Sequence, residues 1–185
     1  MQISSEVFSR PPFTGLPLTL VEADAENPRI DVLVSSLHWP ETGEAAWGII
    51  LKNSKGRDLG IEEDTTTARS STEATYRVIE TALKRIRDRG QIGARYTILS
   101  NSKTVVGQIT GKRYAKIKKH QELLFLVKEL INDTGAEVRL VERGKTKDAR
   151  TLAKAACKGE RKKRAGAAAV QANSMTVDAE TGGAQ

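Results

Sequence analysis

The chain has 185 residues, of which 38% are hydrophobic and 29% charged. This composition suits one globular domain with extensions and excludes a membrane protein, because no apolar run approaches the roughly 20 residues of a membrane span. The net charge is +7, and residues 101–165 sum to +11. A basic second half favours a polyanionic partner, nucleic acid first among them; the alternative is a merely soluble basic surface.

The two ends of the chain differ in composition from the middle. Prolines at positions 11, 12, 17 and 28 predict an irregular N-terminal arm over residues 1–28. The cluster Lys158–Arg164 opens a basic, mostly disordered tail over residues 158–185. Cys157 is the one cysteine, which excludes a disulfide framework. We expect an intracellular setting, cytoplasmic or nuclear.

The first half of the intervening domain predicts three strands. Apolar runs at Ile30–Val34 and Ala46–Lys52 are typical of buried strands. Turn residues at Asn53–Gly56 lead back into a third, antiparallel strand at Arg57–Glu62. Trp39 is predicted to lie exposed in the loop after the first strand.

A long helix follows these strands. Apolar residues recur at helical spacing from Tyr76 to Ile86. Ser71 or Thr72 is the predicted N-cap, and the helix is predicted to end near Gly90.

The second half alternates strands with helices. In chain order the predicted elements are a strand at Tyr96–Leu99, a short helix capped by Ser102, a basic connector at Lys112–His120, an apolar-faced helix ending near Gly135, a strand at Ala136–Val141 and a last helix from Thr146. Three consecutive strands followed by αβ units imply an α/β fold, with a mixed five-stranded sheet and helices on both faces.

Four segments, in order and on the predicted elements, carry a resemblance. They are Val34–Leu51, Ser71–Tyr76, Leu99–Gln108 and Val141–Ala153. Over about residues 29–157 the chain resembles the type 1 ribonuclease H family, particularly the form fused to reverse transcriptases. The last segment is the most specific, because it keeps every spacing of the family's Val-x-Arg-x-x-Asn-x-x-Ala-Asp-x-Leu-Ala pattern. The resemblance implies a ribonuclease H-like fold.

The same resemblance indicates which residues of this chain match the family's four acidic positions. In the family these residues hold two Mg²⁺ ions that drive phosphodiester hydrolysis. The matching positions are Ser35, Thr75, Asn101 and Arg150, none of them a carboxylate. The permanently charged Arg150 opposes a cation, and it is expected to pair with a local carboxylate or to contact a phosphate. The replacements imply no catalytic residue, no metal and no cofactor.

Three nearby carboxylates offer the rival interpretation of a shifted metal site. Glu73 and Asp148 each lie two residues before a replaced position, which rotates a helical side chain by about 200° away from the site. Asp31 lies about 13 Å back along the first strand from Ser35. We therefore expect all three carboxylates to be ordinary surface residues.

Basic residues remain available for phosphate contacts. The resemblance implies that the segment between the two middle helices helps to hold nucleic acid. In this chain that segment carries a cluster of basic residues with no acidic residue among them. The candidate nucleic-acid-binding residues are Lys103, Lys112, Arg113, Lys116, Lys118, Lys119 and Arg143. Their alternative role is that of a solvated connector and flanking surface charges.

These observations give three functional hypotheses. The first is a catalytically inactive ribonuclease H-like domain that binds an RNA/DNA hybrid or double-stranded RNA through its basic surface. The second is a structural or protein-interaction module derived from a viral or retroelement ribonuclease H. The third is an active metal-dependent ribonuclease with a shifted site.

Overall fold

The computed structural model describes residues 28–90 and 92–160. Apart from Pro28, the predicted N-terminal arm lies outside the described residues. Residues 158–160 continue the last helix, so helix extends past the predicted start of the tail. The rest of the predicted tail lies outside the described part of the chain.

The strands and helices follow the predicted order. They are β1 (Arg29–Trp39), β2 (Glu44–Asn53), β3 (Asp58–Thr67), α1 (Ser71–Arg89), β4 (Arg95–Ser100), α2 (Lys103–Ile109), α3 (Lys118–Thr134), β5 (Glu137–Leu140) and α4 (147–160).

The strands form one five-stranded sheet in the order β3-β2-β1-β4-β5. β2 is antiparallel to β1 and β3, whereas β4 is parallel to β1 and β5 is parallel to β4. The prediction of a mixed sheet is therefore confirmed. Because β1, β3, β4 and β5 all run the same way, they end at one edge of the sheet, which we call the carboxyl edge. Helices α1, α2 and α4 follow β3, β4 and β5 and so begin there.

Helices cover both faces of the sheet, as predicted. Along β1, Val32 and Val34 pack with Ile79 of α1, in a core that also includes residues of α2 and α3. Side chains alternate along a strand, so Leu33 points to the opposite face. There it packs against Ala149 of α4.

The start of α1 differs from the prediction. Ser70, not Ser71 or Thr72, is the N-cap, and its Oγ accepts a hydrogen bond from Glu73 N at 3.1 Å. Glu73 Oε2 in turn accepts from Arg69 N at 3.1 Å. Several adjacent hydroxyl residues can each cap a helix. Ser70 is favoured here because its Oγ accepts from Glu73 N–H while the Glu73 carboxylate accepts from Arg69 N–H, just before the cap.

Other boundaries also differ. β3 continues to Thr67, five residues past the predicted end at Glu62. Trp39 is the last residue of β1 and is half-buried, not an exposed loop residue, because the β1–β2 ladder continues to the pair Trp39–Glu44. Helix α3 begins at Lys118, so the end of the predicted basic connector is helical. Residues 110–117 form the connector, and we call this segment the basic connector from here on.

Gly48 of β2 sets the distance between α4 and the sheet. A Cβ at this position would lie 2.2 Å from the Ala149 carbonyl oxygen and 2.9 Å from Leu152 Cβ. Since no real Cβ approaches a backbone oxygen so closely, any larger residue would push the helix away.

We expect Gly48→Ala to lower the free energy of unfolding by about 1–3 kcal/mol, because overpacking forces backbone shifts. Urea denaturation followed by circular dichroism measures the effect. Gly60→Ala in β3 is the matched control, since nothing lies within 4 Å of its added Cβ. Equal stability changes in the two variants would contradict the close packing of α4.

Candidate functional site

Two of the four positions that the resemblance matches to the family's acidic residues lie on or directly after neighbouring strands, near the carboxyl edge. Val34 of β1 pairs with Ser100, the last residue of β4. Ser35 and Asn101 are the next residues on their chains. Ser35 is buried, whereas Asn101 is half-buried. The parallel pairing of β1 with β4 therefore brings the two positions side by side.

Arg150 approaches the same part of the sheet from α4. The preceding residue, Ala149, has its carbonyl against Gly48, and Gly48 pairs directly with Ser35. The first turn of α4 thus lies over Ser35. Arg150 is half-buried, and its guanidinium has no carboxylate partner among residues 28–90 and 92–160. The expected local ion pair is absent from the described part of the chain.

Thr75 reaches β1 from the opposite face of the sheet. Its Oγ1 lies 3.0 Å from Ser36 Oγ and donates to the Ser71 carbonyl at 2.8 Å. Because successive strand residues alternate, Ser36 faces α1 whereas Ser35 faces α4. The structure therefore brings Ser35, Asn101 and the turn of Arg150 together and places Thr75 beside Ser36.

The residues at the four positions do not fit a pair of Mg²⁺ ions. Mg²⁺ prefers carboxylate and water oxygens in near-octahedral geometry. Ser35 and Thr75 supply neutral hydroxyls, Asn101 a neutral amide and Arg150 a positive charge. Within residues 28–90 and 92–160, no group of three or more His, Cys, Asp or Glu side chains is arranged to hold a metal ion.

The three rival carboxylates have different environments. Asp148 is exposed, as predicted, and Asp31 is half-buried with Arg29 Nε 3.4 Å from its Oδ1. Glu73 is only 4% exposed, so its prediction as a surface residue is wrong. The helical rotation predicts only that the Glu73 side chain points away from the site. The burial of the start of α1 depends on tertiary packing, which the rotation does not describe.

Hydrogen bonds keep the buried Glu73 ionised. Burial opposes ionisation, but the bonds from the Arg77 guanidinium and from Arg69 N–H outweigh it and lower the pKa of Glu73. The Arg77 Nη2 to Glu73 Oε1 distance is 2.8 Å. The Glu73 carboxylate therefore stabilises the first turn of α1.

The candidate phosphate-binding residues are all exposed. Lys119 pairs with Glu122 at 3.2 Å. Four others, Lys112, Arg113, Lys116 and Lys118, have no carboxylate partner within the described ranges of the chain. No carboxylate of those ranges therefore neutralises their positive charge.

The remaining two candidates lie at the carboxyl edge. Lys103 is the first residue of α2, and Arg143 follows β5. The start of α3 lies near the start of α1, because Ser70 Oγ is 3.4 Å from His120 Nε2. Lys118 and Lys119 accordingly belong to the same end of the molecule as Lys103 and Arg143.

The basic connector is held in place by hydrogen bonds from buried and neighbouring side chains. Arg113 N donates to the Gly107 carbonyl at 2.8 Å. The buried Gln108 accepts from the Tyr76 hydroxyl at 2.8 Å and donates to the Tyr114 carbonyl at 3.3 Å. Burial raises the pKa of Tyr76 to about 12, so the hydroxyl keeps its proton and remains a donor.

A surface pocket of about 420 Å³ lies between the basic connector and α3. Gln108, Arg113, Tyr114, Gln121 and Lys128 are among its lining residues. The sequence analysis did not select Tyr114. The available signal was an aromatic residue interleaved with basic ones, a pattern found at single-stranded nucleic-acid sites.

The comparisons with known proteins agree with this architecture. Residues 35–156 match the reverse transcriptase-like family, and the chain belongs to that family. No curated protein matches the sequence. Among the described residues, no helix is long and apolar enough to span a membrane.

Several solved structures share the fold. RNase H1 from the halophilic archaeon Halobacterium salinarum matches with a TM-score of 0.65 and 21% identity over 71% of this chain and 98% of that chain. LC11-RNase H1 from compost, solved with an RNA/DNA hybrid, matches with a TM-score of 0.63 and 19% identity over 69% and 95%. The prototype foamy virus protease-reverse transcriptase matches with a TM-score of 0.54 and 15% identity over 70% of this chain and 20% of that chain.

We expect Glu73→Gln to lower the free energy of unfolding at neutral pH by about 1 kcal/mol. The expected loss is small for a charged hydrogen bond because Arg77 is partly exposed and solvent screens the pair. Because folding lowers the pKa of Glu73, its stabilising contribution is present at neutral pH. It is lost as the pH falls through the folded-state pKa, below the ordinary glutamate value of about 4.3. The deficit of the variant should therefore shrink in acid.

Urea denaturation at neutral pH and at acid pH measures this difference. Glu80→Gln removes another i,i+4 pair of the same helix, with Lys84, and serves as the control. A Glu73→Gln deficit that stays constant with pH would contradict the proposed linkage.

Proposed function

We propose that this protein binds an RNA/DNA hybrid or double-stranded RNA without hydrolysing it. The observation that carries the proposal is the group of four exposed cations, Lys112, Arg113, Lys116 and Lys118, which lack carboxylate partners within the described ranges. Three of them lie in the basic connector between α2 and α3 of a ribonuclease H-like fold, and Lys118 is the first residue of α3.

Uncompensated cations bind a nucleic-acid backbone by displacing its condensed counterions. Such contacts are independent of sequence, so the duplex is selected by its shape and charge. Lys103 and Arg143 extend the basic surface along the carboxyl edge. Lys119 adds to the basic surface although it forms an ion pair with Glu122, because exposed ion pairs are weak. A ligand of this class is supported by LC11-RNase H1, which shares the fold and was solved with an RNA/DNA hybrid.

The proposed lack of hydrolysis rests on the side chains at Ser35, Thr75, Asn101 and Arg150. A two-metal mechanism needs anionic ligands that hold the ions and offset their charge. These positions offer three neutral groups and one cation. A phosphodiester held at the basic surface would therefore meet no activated water.

A protein-interaction module is the second candidate, and one observation favours it. Ile117, Phe125 and Leu126, at the start and on the outer surface of α3, are 57%, 63% and 44% exposed. Phe125 and Leu126 are adjacent in sequence, and contiguous exposed apolar surface is common at protein interfaces. Binding to this surface would be insensitive to salt, which separates it from phosphate contacts.

A single set of samples tests these functions. The purified protein is incubated with labelled RNA/DNA hybrid or labelled double-stranded RNA, with Mg²⁺, Mn²⁺ or chelator, across a salt series. We expect gel retardation without cleavage, unchanged by chelator and lost as salt rises. Metal-dependent cleavage would overturn the proposed inactivity, and absence of both retardation and cleavage would turn the search to protein partners.

The triple variant Lys112→Gln, Lys116→Gln, Lys118→Gln should weaken duplex binding and flatten its salt dependence. The slope of log affinity against log salt should fall by about 0.9 for each lysine that contacts a phosphate, taking the value for duplex DNA. Fluorescence anisotropy with a labelled hybrid measures both effects.

The matched control is Lys84→Gln, Arg89→Gln, Lys154→Gln, which removes the same net charge outside the proposed interface. Lys84 and Arg89 lie in the second half of α1, and Lys154 lies on α4 across the sheet. If both triple variants lose the same affinity and slope, binding depends on net charge and not on the basic connector.

A further inference from the structure

We propose that the pocket beside the basic connector binds one unpaired nucleotide, with its base stacked on Tyr114 and its phosphates beside Lys112 and Arg113. The inference rests on the proposed nucleic-acid binding and specifies the ligand further. The preferred ligand is a duplex that carries a single-stranded extension.

Tyr114 is an exposed aromatic residue whose position is fixed. It is 76% exposed. Its carbonyl accepts a hydrogen bond from Gln108, and Gln121 Nε2 lies 3.2 Å from its hydroxyl. Gln121 Nε2 also donates to the Ala115 carbonyl at 2.8 Å, which holds that amide against the connector. Tyr114 is therefore held at its backbone carbonyl and at its ring hydroxyl, so less side-chain entropy is lost when a base stacks on the ring.

Arg113 is positioned next to this ring. Its Cδ lies 2.9 Å from the point that a Cβ on Gly107 would occupy, so the arginine stem packs directly on the glycine. The backbone bond from Arg113 N to the Gly107 carbonyl fixes the same residue. Lys112 and Lys128 also line the pocket. Three cations thus surround an aromatic platform.

The pocket chemistry favours an unpaired nucleotide over a base pair. A base within a duplex presents only its edge, whereas an unpaired base exposes its flat face to an aromatic ring. The volume of about 420 Å³ lies within the range of small-ligand pockets, roughly 300–1,000 Å³. The four cations that lack carboxylate partners within the described ranges continue from the pocket to the start of α3, where the adjoining duplex would lie.

The test compares labelled RNA/DNA hybrids that are blunt or carry a five-nucleotide single-stranded RNA extension. Fluorescence anisotropy gives their affinities for the full chain and for Tyr114→Ala and Tyr114→Phe. We expect the extension to tighten binding on the order of 10-fold, in line with measured base stacking on aromatic residues. Tyr114→Ala should remove this gain and leave blunt-hybrid affinity unchanged. Tyr114→Phe should keep most of the gain, because the ring remains and only the hydroxyl bond to Gln121 is lost.

Gly107→Ala gives a second test, because a Cβ there displaces the Arg113 stem. It should reduce the gain from the extension while Tyr114 stays in place. Circular dichroism and thermal unfolding establish that each variant is folded.

Failure of the inference is distinguishable from failure of the proposed function. If blunt and extended hybrids bind equally and Tyr114→Ala changes neither, the nucleotide pocket is wrong and duplex binding stands. If Tyr114→Ala weakens both ligands equally, Tyr114 contacts the duplex and the inference is overturned. If neither hybrid binds to the unmodified protein, the proposed function fails and the inference fails with it.

Discussion

The parallel pairing of β1 with β4 is the constraint on which the candidate site depends. It places Ser35 next to Asn101, and it makes β4 and β5 end at the same edge as β1. Helices α2 and α4 therefore begin at that edge. They bring Lys103 and Arg150 to the same edge as Ser35, although each lies more than 60 positions after Ser35 in sequence. The close approach of Ala149 to Gly48 then fixes the height of α4 above β1. The topology of the sheet sets the position of such a site, and the side chains that lie there set its chemistry.

Polar groups buried at the start of α1 connect this edge to the basic connector. Ser70 caps α1 and lies 3.4 Å from His120 at the start of α3. Further along α1, the Tyr76 hydroxyl holds Gln108, which in turn holds the Tyr114 carbonyl. Buried polar groups are costly unless they are hydrogen-bonded. Satisfying them here requires α1, α2 and α3 to keep fixed relative positions, so the connector is presented in a defined geometry.

Much of this fold follows from sequence pattern, and the exceptions share one physical cause. Apolar runs, turn residues and helical spacing predicted every strand and helix, because these signals are local. The match of Ser35, Thr75, Asn101 and Arg150 to the family's acidic positions remains a prediction from a family resemblance, which supplies non-local information. The burial of Glu73 and the fixing of Tyr114 were missed because they depend on tertiary packing. The Tyr76–Gln108 bond joins residues 32 apart, and the Ser70–His120 contact joins residues 50 apart.

In the proposed function, the side chains at the four positions matched to the family's acidic residues link the two parts of the interface electrostatically. Four carboxylates repel phosphate and need bridging cations before a backbone can approach. In the proposed function, the neutral side chains of Ser35, Thr75 and Asn101 would not repel a phosphate. Arg150 would add a positive charge, and it has no carboxylate partner in the described ranges. A phosphate can then be attracted directly by the protein. In the proposed function the edge and the basic connector thus act with the same sign of charge, and the backbone is held along both without a metal ion.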